Sequence, residues 1–327
     1  MNAGQATIEW LYNDQLQVDD EWAVRTPDGF RWWAYRNAQT VEVVGADHSD
    51  PDEETGYFIA VRTELLRDLE LTERSLAFLN GAFLQAPSMS GPVYDPEAGT
   101  LALCSLARTH GEIAGWMERW LSMAAVLQLG EAHFAAPQLA AMLGADLAVS
   151  GHPESGMRPA PDELLGVIPQ VVVSQGAEAS RWTDAEFEQA FGEDADADVS
   201  FPPGLDGAAF GAAVSGGGDG ERVLCRLRAD LTHPGFGAGL MLVQQFPGAA
   251  RSDSDGVRLA LALNEYELTQ QPLGYGFGSY SWQGEALHFS AFFPNAMHHV
   301  IGLVNLFNSC RARALGIERA RAAVGGG

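Results

Sequence analysis

The sequence predicts an α+β protein built as a tandem duplication, two copies of a helix-flanked antiparallel sheet, with the first copy in 1–165 and the second in 166–327. Three observations predict it. Short runs rich in aromatic and β-branched residues read as strands, apolar residues at helical spacing read as amphipathic helices, and the order strand, strand, helix, hairpin, long helix occurs twice.

In the first copy, Phe30–Tyr35 and Gly56–Arg62 are strands, joined by an acidic loop from Asp47 to Thr55. Leu76, Leu79, Phe83 and Leu84 follow helical spacing. A hairpin comes next: Gly91–Tyr94, a turn through Asp95–Gly99, and a strand from Leu101 to Leu106. Ile113, Trp116, Met117, Trp120, Leu121, Ala124 and Leu127 then form the stripe of a long helix.

The second copy repeats that order. Val223–Arg228 and Gly239–Gln245 are strands, Leu259–Leu268 a helix, and Tyr275–Trp282 and Ala286–Phe293 a hairpin turning at Gln283-Gly284. Val300, Leu303, Val304, Phe307, Cys310 and Ala314 mark the closing helix. Asn80 and Asn264 share a Leu-Asn context, and Ile113/Val300, Trp116/Leu303, Met117/Val304 and Trp120/Phe307 pair at one constant offset. Each copy opens with a short helix. The second is marked by a capping box, Thr183 with Glu186, flanked by Trp182 and Phe187; the first is suggested by Ile8, Leu11 and Leu16. The link Ser150–Pro161 is dense in Pro and Gly and reads as loop. The acidic run Glu193–Asp198 and the segment Ser215–Gly220 read as further loops.

Composition narrows the function. Forty-three acids against nineteen bases give a net charge of −24, which disfavours nucleic acid and anionic membranes as partners. All nineteen bases are arginine. Without lysine there is no Schiff-base catalysis, no pyridoxal attachment and no phosphate-loop lysine. Three widely spaced cysteines, Cys104, Cys225 and Cys310, argue against a disulfide framework and for the cytoplasm. No apolar run of membrane-spanning length occurs, and the first twenty residues lack a signal-peptide pattern.

Two regions compete as functional candidates. The loop carrying His152, Glu154, Ser155, Arg158, Asp162 and Glu163 offers a base, a hydroxyl and an anion-holding arginine. The same residues equally suit a Pro-rich loop tied down by arginine–carboxylate bonds, and Ser155 lacks a Gly-x-Ser-x-Gly context. The other candidate is aromatic: Trp32, Trp33, Tyr280, Trp282 and Phe292 are the residues left for a partner-binding face once each sheet has filled its core. The alternative is that a loop or a second domain covers them. His298-His299 and the isolated cysteines lack metal-ligand spacing, so neither metal nor cofactor is expected. Gly235–Gly239 lies between two strands and reads as a hairpin turn, not a phosphate loop.

The element order, with Leu79-Asn80 and the Ile113–Trp120 spacing in one copy and Leu263-Asn264, the Tyr275–Phe293 hairpin and Val300–Phe307 in the other, resembles the type III secretion chaperone-like fold, and specifically YbjN-like proteins. The resemblance implies a sheet flanked by helices, a small acidic cytoplasmic protein, and binding of protein clients in place of turnover. Such chaperones are usually single domains that dimerise. Two copies in one chain imply an internal pseudo-dimer, in a monomer or homodimer. The expectation is a non-enzymatic chaperone-like or adaptor protein. A hydrolase or ligand-binding enzyme using His152, Ser155, Arg158 and Asp162 is the alternative.

Overall fold

A computed structural model describes residues 2–47, 55–191, 199–200, 207–213, 222–247, 250 and 252–325, and it is α+β with two antiparallel sheets. The acidic loop after Asp47, the Glu193–Asp198 run and Ser215–Gly220 lie outside the described residues, the first save for Asp47 and Thr55. Contacts divide the chain into two compact units. Unit 1 comprises Met1–Leu71, Pro92–Ile168 and Leu268–Phe277; unit 2 comprises Thr72–Gly91, Pro169–Glu267 and Gly278–Gly327. Each unit therefore includes one segment from the far half of the sequence.

The first half contributes α1 (Ala3–Trp10), β1 (Ala23–Arg25), β2 (Gly29–Trp33), β3 (Ala38–Asp47), β4 (Gly56–Arg67), α2 (Glu73–Gln85), β5 (Gly91–Asp95), β6 (Thr100–Thr109), α3 (Ala114–Phe134), α4 (Ala136–Leu143), β7 (Asp146–Leu147) and the short α5 (Leu164–Val167). The second contributes α6 (Ser174–Gly176), α7 (Asp184–Phe191), β8 (Val199–Ser200), β9 (Gly207–Ala213), β10 (Arg222–Arg228), β11 (Thr232–His233), β12 (Gly237–Pro247), α8 (Asp253–Glu265), β13 (Ser279–Gln283), β14 (Ala286–Pro294) and α9 (Leu303–Gly325). The sheets run β1-β2-β3-β4-β6-β5 and β8-β9-β10-β12-β14-β13, so the same strand order appears twice. β3 and β9 were not anticipated. β9 is a run of Gly and Ala around one Phe, which carries no alternation for the eye to find.

The Tyr275–Trp282 strand is shorter than expected. Only Ser279–Gln283 pairs with β14, while Tyr275 and Phe277 leave the ladder and pack on Trp116 and Trp120 in unit 1. Glycines break the strand. Gly276 has φ +72 and lies so close to β6 that a Cβ there would fall 1.5 Å from the Leu106 carbonyl oxygen. That approach lets the Leu106 N–H donate to the Gly276 carbonyl, 3.3 Å away. In unit 2 the Phe292 N–H of β14 donates in the same manner to the Ser88 carbonyl.

β13 is the last strand of its sheet, and an open edge exposes unpaired backbone groups. Two asparagines close it. The Tyr280 N–H donates to Asn264 Oδ1 at 2.6 Å while Asn264 Nδ2 donates back to the Tyr280 carbonyl at 3.1 Å. Asn80, on α2, makes the same pair with Trp282 at 2.7 and 2.8 Å. The alternating outward groups of the strand are thereby matched by helix side chains instead of by another strand.

Each unit also buries a polar cluster where its long helix crosses the sheet. In unit 1, Gln39 opposes Thr63 across β3 and β4. Gln39 Nε2 donates to Thr63 Oγ1 and to the Ala125 carbonyl of α3, and Gln128 Nε2 donates to Ser105 Oγ and the Val61 carbonyl. In unit 2 the matching register position is Cys225 opposite Gln244, and Gln244 Nε2 donates to the Cys310 carbonyl of α9. Here the helix residue is charged: Arg313 donates to Glu267 through Nε and Nη2 and to Gln244 Oε1 through Nη1, with its guanidinium 3.4 Å from the Phe289 ring centre. The Tyr280 hydroxyl completes the set by donating to Glu267 at 2.7 Å.

Candidate functional site

The five aromatics expected on a partner-binding face are all buried: Trp32, Trp33, Tyr280, Trp282 and Phe292 are each 5% exposed or less. Their own unit accounts for this. Trp32 donates to Gln39 and Trp33 to Ser150, and His152 meets the Trp33 ring edge-on. Trp282 donates to Asp253 and lies flat over Gly256, where any Cβ would strike the indole. Phe292 stacks on His233. The expectation of an exposed aromatic face is thus corrected: α8 with the α2 clamp, and the β11–β12 turn, cover what the strand pattern left open.

The 150–162 loop is tied to its own unit. Arg158 Nη2 reaches Asp162 at 2.9 Å, its Nη1 donates to the Trp33 carbonyl, and Asp162 Oδ1 accepts the Leu164 N–H. Ser155 Oγ donates to the Glu21 carbonyl. His152 Nδ1 accepts the backbone N–H groups of Glu154 and Ser155. The identical device recurs in unit 2, where His233 Nδ1 accepts the N–H groups of Gly235 and Phe236 at 3.0 Å each. Both histidines open a His-Pro-x-x-Gly turn whose glycine, Gly156 or Gly237, takes a positive φ of 75° or 77°. Imidazole here does the work of an Asx side chain, and Gly235–Gly237 is a hairpin turn as the sequence predicts.

Another cleft gathers ionisable and aromatic groups. α7 and the start of α9 flank a cleft of about 380 Å³ in unit 2, lined by Trp182, Glu186, Gln189, Ala190, His298, Ile301, Leu303 and Val304. The capping box builds one wall: the Thr183 N–H donates to Glu186 Oε2 at 2.8 Å, and the Glu186 N–H approaches Thr183 Oγ1 at 3.4 Å. Glu186 Oε1 lies 2.8 Å from His298 Nε2, and the His298 ring meets Trp182 edge-on at 5.3 Å. Partial burial works to raise the Glu186 carboxyl, but the Thr183 backbone N–H, His298 and the Thr183 hydroxyl together hold it below the usual range. Trp182 Nε1 and His298 Nδ1 are buried and lack a hydrogen-bond partner among the described residues.

The Thr183 hydroxyl donates to the Glu186 carboxylate at 3.1 Å. Ala190, Ile301, Leu303 and Val304 also line the cleft, and Val304 is 47% exposed. A second cleft of about 470 Å³ shares Trp182 and carries Glu178, Asp184 and Asp230. The capping box was legible in sequence. His298 was considered only as a metal ligand, because its partner Glu186 lies 112 residues away. Among the described residues, no group of three or more His, Cys, Asp or Glu gathers to hold a metal, and no helix is long and apolar enough to cross a membrane. Comparison with protein-family models, curated proteins and solved structures returns no match.

Proposed function

We propose that this chain is a non-enzymatic, chaperone-like or adaptor protein that receives an apolar side chain of a polypeptide client in the α7–α9 cleft. The observation that carries the reading is the cleft itself, where Ala190, Ile301, Leu303 and Val304 stand beside Glu186, Gln189 and His298. The capped edge of β13 argues against strand addition at that edge, so the client is held by side-chain burial. A net charge of −24 favours clients that are neutral or basic around the apolar residue. The three cysteines are unpaired thiols, which fits a reducing, cytoplasmic setting.

Fluorescent peptides carrying one central Leu, Phe or Met on a neutral or basic background, titrated against the full chain by anisotropy, test the reading. Saturable binding is expected, weakened about tenfold or more by Val304→Asp, the loss of roughly 1.4 kcal/mol of apolar contact. His152→Ala should leave it unchanged. Peptides that ignore the chain, or that bind Val304→Asp equally well, would overturn the cleft as the binding site.

A further inference from the structure

Trp182 lines two clefts of unit 2, the α7–α9 cleft and the second one of about 470 Å³. The ionisable residues of the second cleft are Glu178, Asp184 and Asp230, with no arginine or histidine among its described lining. Two of these carboxylates are already matched: Arg181 lies 3.6 Å from Glu178 and Arg228 lies 2.6 Å from Asp230. Asp184, in the first turn of α7, is exposed and has no ion pair or side-chain hydrogen bond among the described residues. Trp182 adds an observation of another kind. Its side chain is only 4% exposed, yet its Nε1–H finds no acceptor among the described residues. A buried donor left unpaired is unfavourable, and an acceptor brought by a ligand relieves it.

We propose that the second cleft takes an arginine or lysine of the same client whose apolar residue enters the first, so that the client motif is an apolar residue with a basic one no more than two positions away. The inference rests on the α7–α9 cleft being the client site. Charge complementarity carries it: an incoming cation meets Asp184, which none of the chain's own arginines neutralises, with Glu178 and Asp230 in the same lining. Side chains two residues apart leave the same face of an extended backbone about 7 Å from each other. That is a short step, suited to two clefts that share one indole. The backbone between the two side chains then passes Trp182, where a peptide carbonyl accepts the Nε1–H. Because Nε1 lies beneath the surface, the indole tilts outward to make that bond. The client thereby supplies the acceptor that the chain lacks.

The test is a panel of fluorescent peptides with a central Leu and with Arg, Gln or Glu placed one or two residues to either side, titrated by anisotropy against the full chain and against Asp184→Asn. At one position or more, the Arg peptide should bind about three- to tenfold tighter than its Gln counterpart, and the Glu peptide more weakly than both. In Asp184→Asn that preference should fall to about twofold or less while the Gln peptide binds as before, which separates a local contact from the field of the whole acidic chain. In isotope-labelled protein the Trp182 indole N–H resonance should move downfield as the Arg peptide saturates. Equal affinity for Arg and Gln peptides at every position, a preference that survives Asp184→Asn intact, or an indole resonance that stays put overturns the second cleft and leaves the first standing. If no peptide in the panel binds, both readings fall together.

Discussion

The two units bury a polar cluster at the same point of the same fold, yet one cluster is neutral and the other is charged. Unit 1 uses Gln39, Thr63, Ser105 and Gln128, whose donors and acceptors are matched by amides and hydroxyls. Unit 2 places Arg313 and Glu267 there, 1% and 0% exposed at the side chain, and surrounds them with Gln244, Tyr280 and the Phe289 face. Taking two charges out of water is expensive, and only dense pairing offsets it. The comparison teaches that the site between long helix and sheet demands satisfied polarity in both units but does not dictate its kind. What differs is the penalty for losing one member.

The largest effect should come from Arg313→Leu, which strands the Glu267 carboxylate in the core. Stability in urea should fall by about 3–5 kcal/mol, and adding Glu267→Leu should recover much of it. If the double variant is no better than the single, the charge is not what the cluster is built around.

Next is pH. Burial pushes His233 down to about 4, against an opposing pull from the Ala86 backbone, whereas in the unfolded chain it titrates near 6.5. Between those values the unfolded chain binds a proton that the folded chain refuses. Stability therefore falls as pH drops from about 6.5 towards 4, by roughly 2–3 kcal/mol. His233→Asn, which can still accept the turn N–H groups, should flatten that stretch of the curve; an unchanged slope would assign it to other groups.

Gln128→Leu probes the neutral cluster. It removes the partner of Thr63, Ser105 and the Val61 carbonyl, and should cost about 1–3 kcal/mol, less than Arg313→Leu. Equal losses would erase the contrast between the units. The smallest effect separates the two clamps on β13: Asn264→Ala, fully buried, should cost about 1–2 kcal/mol and Asn80→Ala, part-exposed, about half as much. Amide exchange should quicken at Tyr280 in the first and at Trp282 in the second.

Much of the architecture was legible because helix and strand periodicities are local. α3 and α9, both hairpins and the Thr183 cap all follow from spacings of a few residues. What escaped is non-local. The clamp from Asn80 to Trp282 spans 202 residues, and the Glu267–Arg313 pair spans 46. The aromatics of β13 and β14 read as surplus because nothing local says that α2 returns to cover them. Only the Gly276 and Gly278 breaks, which end the strand at Ser279, stood in plain sight in the sequence.

The traded segments bear on how the chain is made. A ribosome delivers residues 1–168 first, yet unit 1 lacks Leu268–Phe277 until more than a hundred further residues have followed. At about 5–20 residues per second that is a wait on the order of 5–20 s. Throughout it the Leu106 N–H has no Gly276 carbonyl to meet, and Trp116 and Trp120 lack the Tyr275 and Phe277 rings that pack on them. α2, by contrast, is already waiting when β13 emerges, so unit 2 can close as soon as its own strands are complete. Vectorial synthesis thus supplies the second unit's Thr72–Gly91 segment before its strands, and leaves the first, though mostly made earlier, to be completed by Leu268–Phe277.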